Sequence, residues 1–263
     1  MTNRATSWGQ LPDWFDQKTQ DGANDQDWDQ RFGQGNWRET EEPPQSMVIF
    51  IQNHTSFGMK VADIGCGNGR ATLLLAKNGC NVVAMDRCKI GVDRTNQRLE
   101  EVGLSAEVVE ANFYDIPLTF DRSECQAVIA SQVLQLPGCW AKIKEVWNYI
   151  SFIMEVGAHL YLRVRSVNNP VNPRNQLIDV YEDDEFKITQ IGTNVQNRNG
   201  QVRHNYTIEE IRFLAQEYGF EIMGMITEES NEPSGGDCTP RGRNVLQWVA
   251  VLKKVRDVGI RRD

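Results

Sequence analysis

The chain has 263 residues, enough for one α/β domain with additions, and carries 28 Lys and Arg against 36 Asp and Glu, a formal net charge of −8. That balance argues against a general nucleic-acid binder, whose affinity comes mostly from phosphate contacts, and no apolar run approaches the roughly 20 residues of a membrane helix. The first 20 residues lack the positive-then-apolar layout of a signal peptide, and the six cysteines form no C-x-x-C pair. A cytoplasmic protein with no membrane contact and no structural zinc is therefore expected.

Residues 1 to about 27 are polar, with aromatic islands at Trp8 and Trp14-Phe15. Trp28 and Phe32 are four apart and share a face if helical; Gly33 and Gly35 end that helix, and Trp37 follows in a loop. Pro43-Pro44 breaks the chain, and Gln45 to about Ser56 reads as a helix ended by Gly58, with His54 near its C-terminus. Residues 1–58 thus form an N-terminal arm ahead of a core over 59–263.

Val61 to Ile64 is a short apolar run that meets Gly65, Gly67 and Gly69 and then the apolar helix from Ala71. This is strand, glycine turn, helix, where the turn brings backbone against a ligand and the helix N-terminus faces the same spot. The dinucleotide pattern G-x-G-x-x-G would put its third glycine at Arg70; here it comes one residue early, and Asp63 stands two residues before the first. Cys80 to Asp86 is the second strand, ending in an acid about 20 residues past the turn, where a carboxylate accepts from ribose hydroxyls. Ile90 to Val102 has the spacing of an amphipathic helix. Ala106 to Glu110 is the third strand and leads into Asn112-Phe113-Tyr114-Asp115-Ile116-Pro117. Gln126 to about Gln135 is the fourth strand and its exit, with Ser131, Gln132 and Gln135 at its carboxyl end. Trp140 to Ile153 is helical, and His159 to Arg165 is the fifth strand. Its alternation exposes His159, Tyr161, Arg163 and Arg165 on one face, where an arginine meets either an acid of the chain or an anionic substrate.

Residues 167 to about 206 carry turn signals and the acidic run Tyr181 to Glu185, and are too long for a plain connection. Thr207-Ile208-Glu209-Glu210 is a capping box opening a helix that Gly219 ends. Phe220 to Ile226 and Val245 to Lys253 are the last two strands.

The pattern D-x-G-x-G-x-G over Asp63 to Gly69 resembles motif I of the class I S-adenosylmethionine-dependent methyltransferases, and the resemblance extends over about residues 28–253. The arm, with W-x-x-R-aromatic-x-x-G and then Trp37, is similar to the N-terminal lid of the small-molecule methyltransferases of the tellurite and thiopurine type; it also reads as aromatics pinning the arm to the core. The resemblance implies a Rossmann-like α/β three-layer sandwich with a seven-stranded, mostly parallel sheet whose last strand is antiparallel. It implies S-adenosylmethionine as cofactor, held by Trp37, Asp63, Gly65, Cys66, Gly67, Asn68, Gly69, Asp86, Arg87, Asn112, Phe113, Ser131 and Gln132. Asn112 stands where the family has the acid that accepts from the adenine amino group, and Cys125-Gln126 replaces its F-D pair. The stretch 167–206 occupies the place of the family's substrate cover, and His204 and Tyr206 at its end are the candidates to touch the acceptor or act as base. A small-molecule acceptor is the favoured reading; a methyltransferase acting on RNA or protein, and a noncatalytic cofactor-binding sensor or partner subunit, stay open beside it. A nicotinamide dehydrogenase is disfavoured by Arg70.

Overall fold

A computed structural model describes residues 42–136, 140–169, 176–178, 193–196, 202–231 and 245–258. Trp28, Phe32 and Trp37, the acidic run 181–185 and most of the stretch 167–201 lie outside the described residues. Helix α1 (Gln45–His54) leads into β1 (Lys60–Ile64), α2 (Arg70–Lys77), β2 (Asn81–Asp86), α3 (Lys89–Glu101) and β3 (Glu107–Glu110). A 3-10 turn over Phe113–Asp115 and the one-turn α4 (Ile116–Thr119) precede β4 (Cys125–Ser131), α5 (Trp140–Ile153) and β5 (Met154–Arg165). The chain continues through β6 (Gln176–Ile178), β7 (Thr193–Gln196), β8 (Val202–Asn205), α6 (Ile208–Glu217), β9 (Phe220–Ile222), β10 (Thr227–Asn231) and β11 (Val245–Lys254).

The main sheet runs in the order β10-β11-β5-β4-β1-β2-β3, with β9 also pairing β11. Strands β1 to β5 are mutually parallel and β11 is antiparallel to β5. This is the expected mostly parallel sheet with antiparallel closing strands. The place of its sixth strand is shared by β9 and β10, which both pair with β11 on either side of Gly224, at φ +81°. Strand β5 begins at Met154, earlier than expected: the Glu155 to Ala158 stretch, which reads as a preceding turn, is drawn into the strand, with an irregular register against β4 between Cys125 and Ala127. Strands β6, β7 and β8 form a separate antiparallel sheet inside the 167–206 stretch.

Strand order reverses at β1, which lies between β2 and β4. In an open α/β sheet the crevice at such a point, outside the carboxyl ends of the strands, receives the ligand. Two apolar layers fix that sheet. On one face Met47, Phe50 and Ile51 of α1 join Ala71, Leu75 and Ala76 of α2 and Tyr161 of β5 in one cluster with Val61 of β1 and Val82 of β2. On the other, Val146, Trp147 and Ile150 of α5 and Ile211 and Leu214 of α6 pack on β4 and β5. The end of α5 is closed by the buried Lys254, whose ammonium donates to the carbonyls of Ser151 (2.8 Å) and Met154 (2.5 Å).

Gln126, which departs from the family's pattern, has a local task. Its Oε1 accepts from the Lys60 amide at 2.8 Å and its Nε2 donates to Glu155 at 3.2 Å, so it ties the start of β1 to β4 and β5. His54 stacks on His159 with ring centroids 4.4 Å apart, and burial holds both rings below the usual histidine range. Both histidines belong to the packing of α1 on the start of β5.

Candidate functional site

The glycine turn is built by backbone geometry that only glycine adopts freely. Gly65, Gly67 and Gly69 all have positive φ, at +73°, +58° and +78°. The amides of Gly65 and Cys66 both donate to the Met85 carbonyl, at 2.8 and 2.9 Å, which draws the turn against the end of β2. A Cβ on Gly65 would stand 2.9 Å from a methyl of Val133, and one on Gly69 2.8 Å from Thr95. The turn is therefore wedged between the exit of β4 and helix α3. From α3, the Thr95 hydroxyl donates to the Gly67 carbonyl at 3.1 Å and the Arg98 guanidinium to the Asn68 carbonyl at 2.8 Å. Gly91 belongs to no motif of the sequence; a Cβ there would lie 2.9 Å from the Gly67 carbonyl oxygen. An isolated glycine early in a helical pattern is the signal for such a close approach.

Two carboxylates frame the turn. Asp86 Oδ2 accepts from the Gly67 amide at 2.8 Å and Oδ1 from the Cys88 amide at 2.9 Å, which orients the group and leaves lone pairs on both oxygens. Burial raises its pKa from the ordinary carboxylate value. Arg87, half-buried beside it, opposes that shift in part. Asp63 is buried at the end of β1 and accepts from the Thr72 hydroxyl at 2.6 Å. Burial raises its pKa from 3.8 to about 6, and the nearby Asp86 charge adds to the effect. Cys66, buried beside Thr95, is held as a thiol by the same desolvation.

The sign of the Asp63 shift makes a prediction. Its folded pKa of about 6 lies above the unfolded 3.8, so the stability linked to its proton is fully present below pH 3.8 and lost as the pH rises through about 6. The full loss amounts to about 3 kcal/mol. Asp63→Asn should gain about that much on the parent between pH 4 and pH 7, read by urea denaturation of the ligand-free protein. A parallel pH dependence in both proteins would contradict the raised pKa.

Asn112 lies just beyond β3, and the amide of its neighbour Ala111 donates to the Asp86 carbonyl at 2.9 Å. Its own amide donates to Asp115 at 2.9 Å, while its side-chain Oδ1 is buried without a hydrogen-bond partner. A buried acceptor left open costs about 1–3 kcal/mol, and a ligand donor placed there would recover it. The Phe113 ring, next to Asn112, is 5% exposed and belongs to the core cluster that includes α5.

At the exit of β4, Ser131 pairs with Arg163 in register. Gln132 adopts φ +61°, the left-handed region, and its amide donates to the Arg163 carbonyl at 2.7 Å. Behind this loop sits the polar cluster containing His204 and Tyr206. The His204 amide donates to the Gln135 carbonyl at 2.8 Å, and the Tyr206 hydroxyl donates to the Leu134 carbonyl at 2.6 Å. His204 Nε2 lies 3.2 Å from Glu210 Oε1, and Glu210 Oε2 accepts from the Thr207 amide at 2.8 Å. Both His204 and Tyr206 are 0% exposed, and the Tyr206 phenol is pushed well above its ordinary value by burial and by Glu210. Both side chains, expected to touch the acceptor, are buried among the described residues, and their described bonds run to the β4 exit loop and to α6. The β5 face expected to be exposed is likewise buried. Ser46 hydrogen-bonds the Tyr161 hydroxyl at 2.9 Å and Phe50 packs on the same ring, so α1 covers it; Arg163 and Arg165 are 1% and 6% exposed.

Residues 61–151 match the family described as a methyltransferase domain. The cypemycin N-terminal methyltransferase of a Streptomyces species is 34% identical over 80 residues, which are 30% of this chain and 31% of that protein. The chain thus aligns with about a third of the length of this curated relative. Among solved structures, a SAM-dependent methyltransferase of Methanosarcina mazei has a TM-score of 0.59 at 21% identity, covering 82% of this chain and 99% of the other. The 1,6-didemethyltoxoflavin-N1-methyltransferase of Burkholderia thailandensis, solved with 1,6-didemethyltoxoflavin and S-adenosylhomocysteine, has a TM-score of 0.63 at 14% identity, covering 88% and 87%. These likenesses establish the fold.

Proposed function

We propose that this chain, built on a methyltransferase domain and sharing the fold of the S-adenosylmethionine-dependent methyltransferases, binds S-adenosylmethionine and transfers its methyl group to a small-molecule acceptor. One arrangement carries the reading: the open Asn112 acceptor and the oriented Asp86 carboxylate stand on adjoining strand ends beside the glycine turn. Asp86 would take the ribose hydroxyls, Asn112 Oδ1 the adenine amino group, and the turn from Gly65 to Gly69 the methionine part. Asp63 and Asp86 together make this end of the crevice negative. The acid at the end of β2 serves a ribose in both nucleotide-binding families, so the ground against a dehydrogenase remains Arg70 in the place of the third glycine.

The bound cofactor supplies a methyl group already activated on a sulfonium, which leaves as a neutral thioether when the acceptor's lone pair forms the new bond. The chain's work is then to hold the acceptor in line at about 3 Å and keep water out. Ser131 and Gln132 stand at the β4 exit where that line would end. His204 and Tyr206 are assigned to positioning: through Gln135 and Leu134 they hold the loop that carries Gln132. A small acceptor fits the acidic overall charge, and the toxoflavin methyltransferase, which covers most of both chains, is a fold relative solved with a small heterocycle. The test is turnover: full-length protein with labelled S-adenosylmethionine and a broad panel of small acceptors should yield labelled product and S-adenosylhomocysteine together. Turnover only with peptide, protein or RNA acceptors would replace the acceptor class, and cofactor binding with no turnover on any of them would favour the sensor or partner-subunit reading.

Gly91 offers a second check away from the motif itself. Ala in place of Gly raises helix propensity by about 1 kcal/mol, yet its Cβ would press on the Gly67 carbonyl. Gly91→Ala should keep its helix and weaken S-adenosylhomocysteine binding by about tenfold, an effect near 1.4 kcal/mol by calorimetric titration. Unchanged affinity would mean that the turn does not cradle the ligand.

A further inference from the structure

We propose that Gln132 selects the methyl acceptor, and that with the Ser131 hydroxyl it receives a neutral molecule presenting an N–H and a carbonyl side by side, as a lactam or other cyclic amide does. The inference rests on the methyltransferase reading and deepens it to the class of acceptor. The backbone points to it first. Gln132 and Ser123 are the non-glycine residues of positive φ among those described, at +61° and +52°. Ser123 lies before β4, in the turn at its amino end, where its amide donates to the Phe152 carbonyl at 2.9 Å. Gln132 stands one residue past β4, at its carboxyl end. Glycine takes the left-handed region freely, and Asn, Asp and His enter it more readily than longer polar side chains do. Backbone preference alone would put Gly or Asn at this position. A strained residue at the mouth of a ligand crevice points to a use for its side chain.

The surrounding structure over-determines that residue. Its amide donates to the Arg163 carbonyl at 2.7 Å, and the Leu136 amide closes the next turn on the Val133 carbonyl at 2.9 Å. The Leu134 and Gln135 carbonyls are held in turn by the Tyr206 hydroxyl and the His204 amide. Val133, the next residue, packs on Gly65. Gln132 therefore stands beside the turn assigned to the methionine part of the cofactor, where an acceptor meets the methyl group. Ser131 and Gln132 are half-buried, unlike His204 and Tyr206, and among the described residues neither side chain has a hydrogen-bond partner. Arg163 and Arg165 behind them are buried and have partners of their own. The described groups left open at this exit are thus neutral, a hydroxyl and a carboxamide. A carboxamide offers an N–H donor and a carbonyl acceptor in one plane, the complement of a cyclic amide edge. A ring nitrogen alone would leave half of it unpaired in a closed crevice, which is how hydrogen-bonding sites reject analogues.

The experiment uses full-length protein saturated with S-adenosylhomocysteine and ligand-observed saturation-transfer NMR. The probes are the lactam 2-quinolone, quinoline, which lacks the N–H and the carbonyl, and the anion quinoline-2-carboxylate. Saturable binding of S-adenosylhomocysteine is established first by calorimetry; its absence would sink the methyltransferase reading itself. Given that binding, the lactam should bind about tenfold more tightly than either other probe, the effect of one donor and one acceptor bond. Gln132→Gly suits the left-handed backbone, so it should fold as the parent does and keep its S-adenosylhomocysteine affinity within about twofold. It should also bring lactam and quinoline within about twofold of each other. Gln132→Asn, which draws the carboxamide back by one methylene, should fall between. A purely structural role would shift the melting temperature and leave the ratio of lactam to quinoline affinity where it was. No binding of the lactam, no preference for it over quinoline or the anion, or a preference that survives in Gln132→Gly would overturn the proposal. So would a tenfold loss of S-adenosylhomocysteine affinity in that variant, which would return Gln132 to the cofactor.

Discussion

Asp86→Ala is expected to lose S-adenosylhomocysteine binding by at least about 100-fold while the ligand-free protein stays folded. Hydrogen bonds to a charged partner contribute about 1.5–3 kcal/mol each, and this carboxylate is assigned two, to the two ribose hydroxyls. The same substitution frees the Gly67 and Cys88 amides, which the carboxylate holds at 2.8 and 2.9 Å, so the turn also loses its anchor to β2. Folding suffers less than binding because Asp86 is a desolvated charge in the ligand-free protein, its pKa raised by burial. Asp86→Asn separates the two contributions: it keeps the shape and an acceptor oxygen but not the charge, and should fall about tenfold short of the parent. Calorimetric titration beside a thermal melt reads both quantities. An Asp86→Ala protein that binds as the parent does would remove this residue from the site.

Glu210→Ala is expected to produce the largest loss of stability, about 3–5 kcal/mol, because it removes one member of a fully buried polar network. Glu210 is 0% exposed and joins three groups: His204 Nε2 at 3.2 Å, the Thr207 amide at 2.8 Å and the Thr207 hydroxyl at 3.3 Å. Its loss breaks the capping box of α6 and removes an acceptor from the buried His204 ring, which lies 4.5 Å from the ring of Tyr206. Glu210→Gln retains an oxygen for the cap and should lose about half as much. Denaturant unfolding of the ligand-free proteins measures it. A loss under about 1 kcal/mol for the alanine variant would mean that water, and not the network, satisfies these groups.

What the sequence made legible was local. Three alternate glycines after an apolar run, an acid about 20 residues on and a capping box are each written within a few residues, and the structure realises them as the turn after β1, the end of β2 and the start of α6. The alternation along β5 is also readable, but not what covers it. The packing of α1 on Tyr161 joins residues 115 apart, and it turns a face expected to be exposed into a buried one. The same limit applies to His204 and Tyr206. Glu210 is visible as a cap and His204 as a polar residue nearby, yet only the fold brings the Tyr206 hydroxyl to Leu134, 72 residues away, and makes the pair an internal brace. Phe113 is assigned to the cofactor through the motif it shares with Asn112, while the core position of its ring is set by residues far along the chain. Gly91 shows the reverse case. A lone glycine early in α3 signals a close approach, but its source, the carbonyl of Gly67 on another element, is visible only in the fold.

Whether the crevice between β1 and β4 takes S-adenosylmethionine decides everything above. Equilibrium titration of the full-length protein with S-adenosylhomocysteine, with NAD as control under the same conditions, answers it directly. Saturable one-to-one binding of S-adenosylhomocysteine at micromolar concentrations is expected, and none of NAD, since Arg70 stands where the dinucleotide pattern has its third glycine. Binding of NAD without S-adenosylhomocysteine would contradict it.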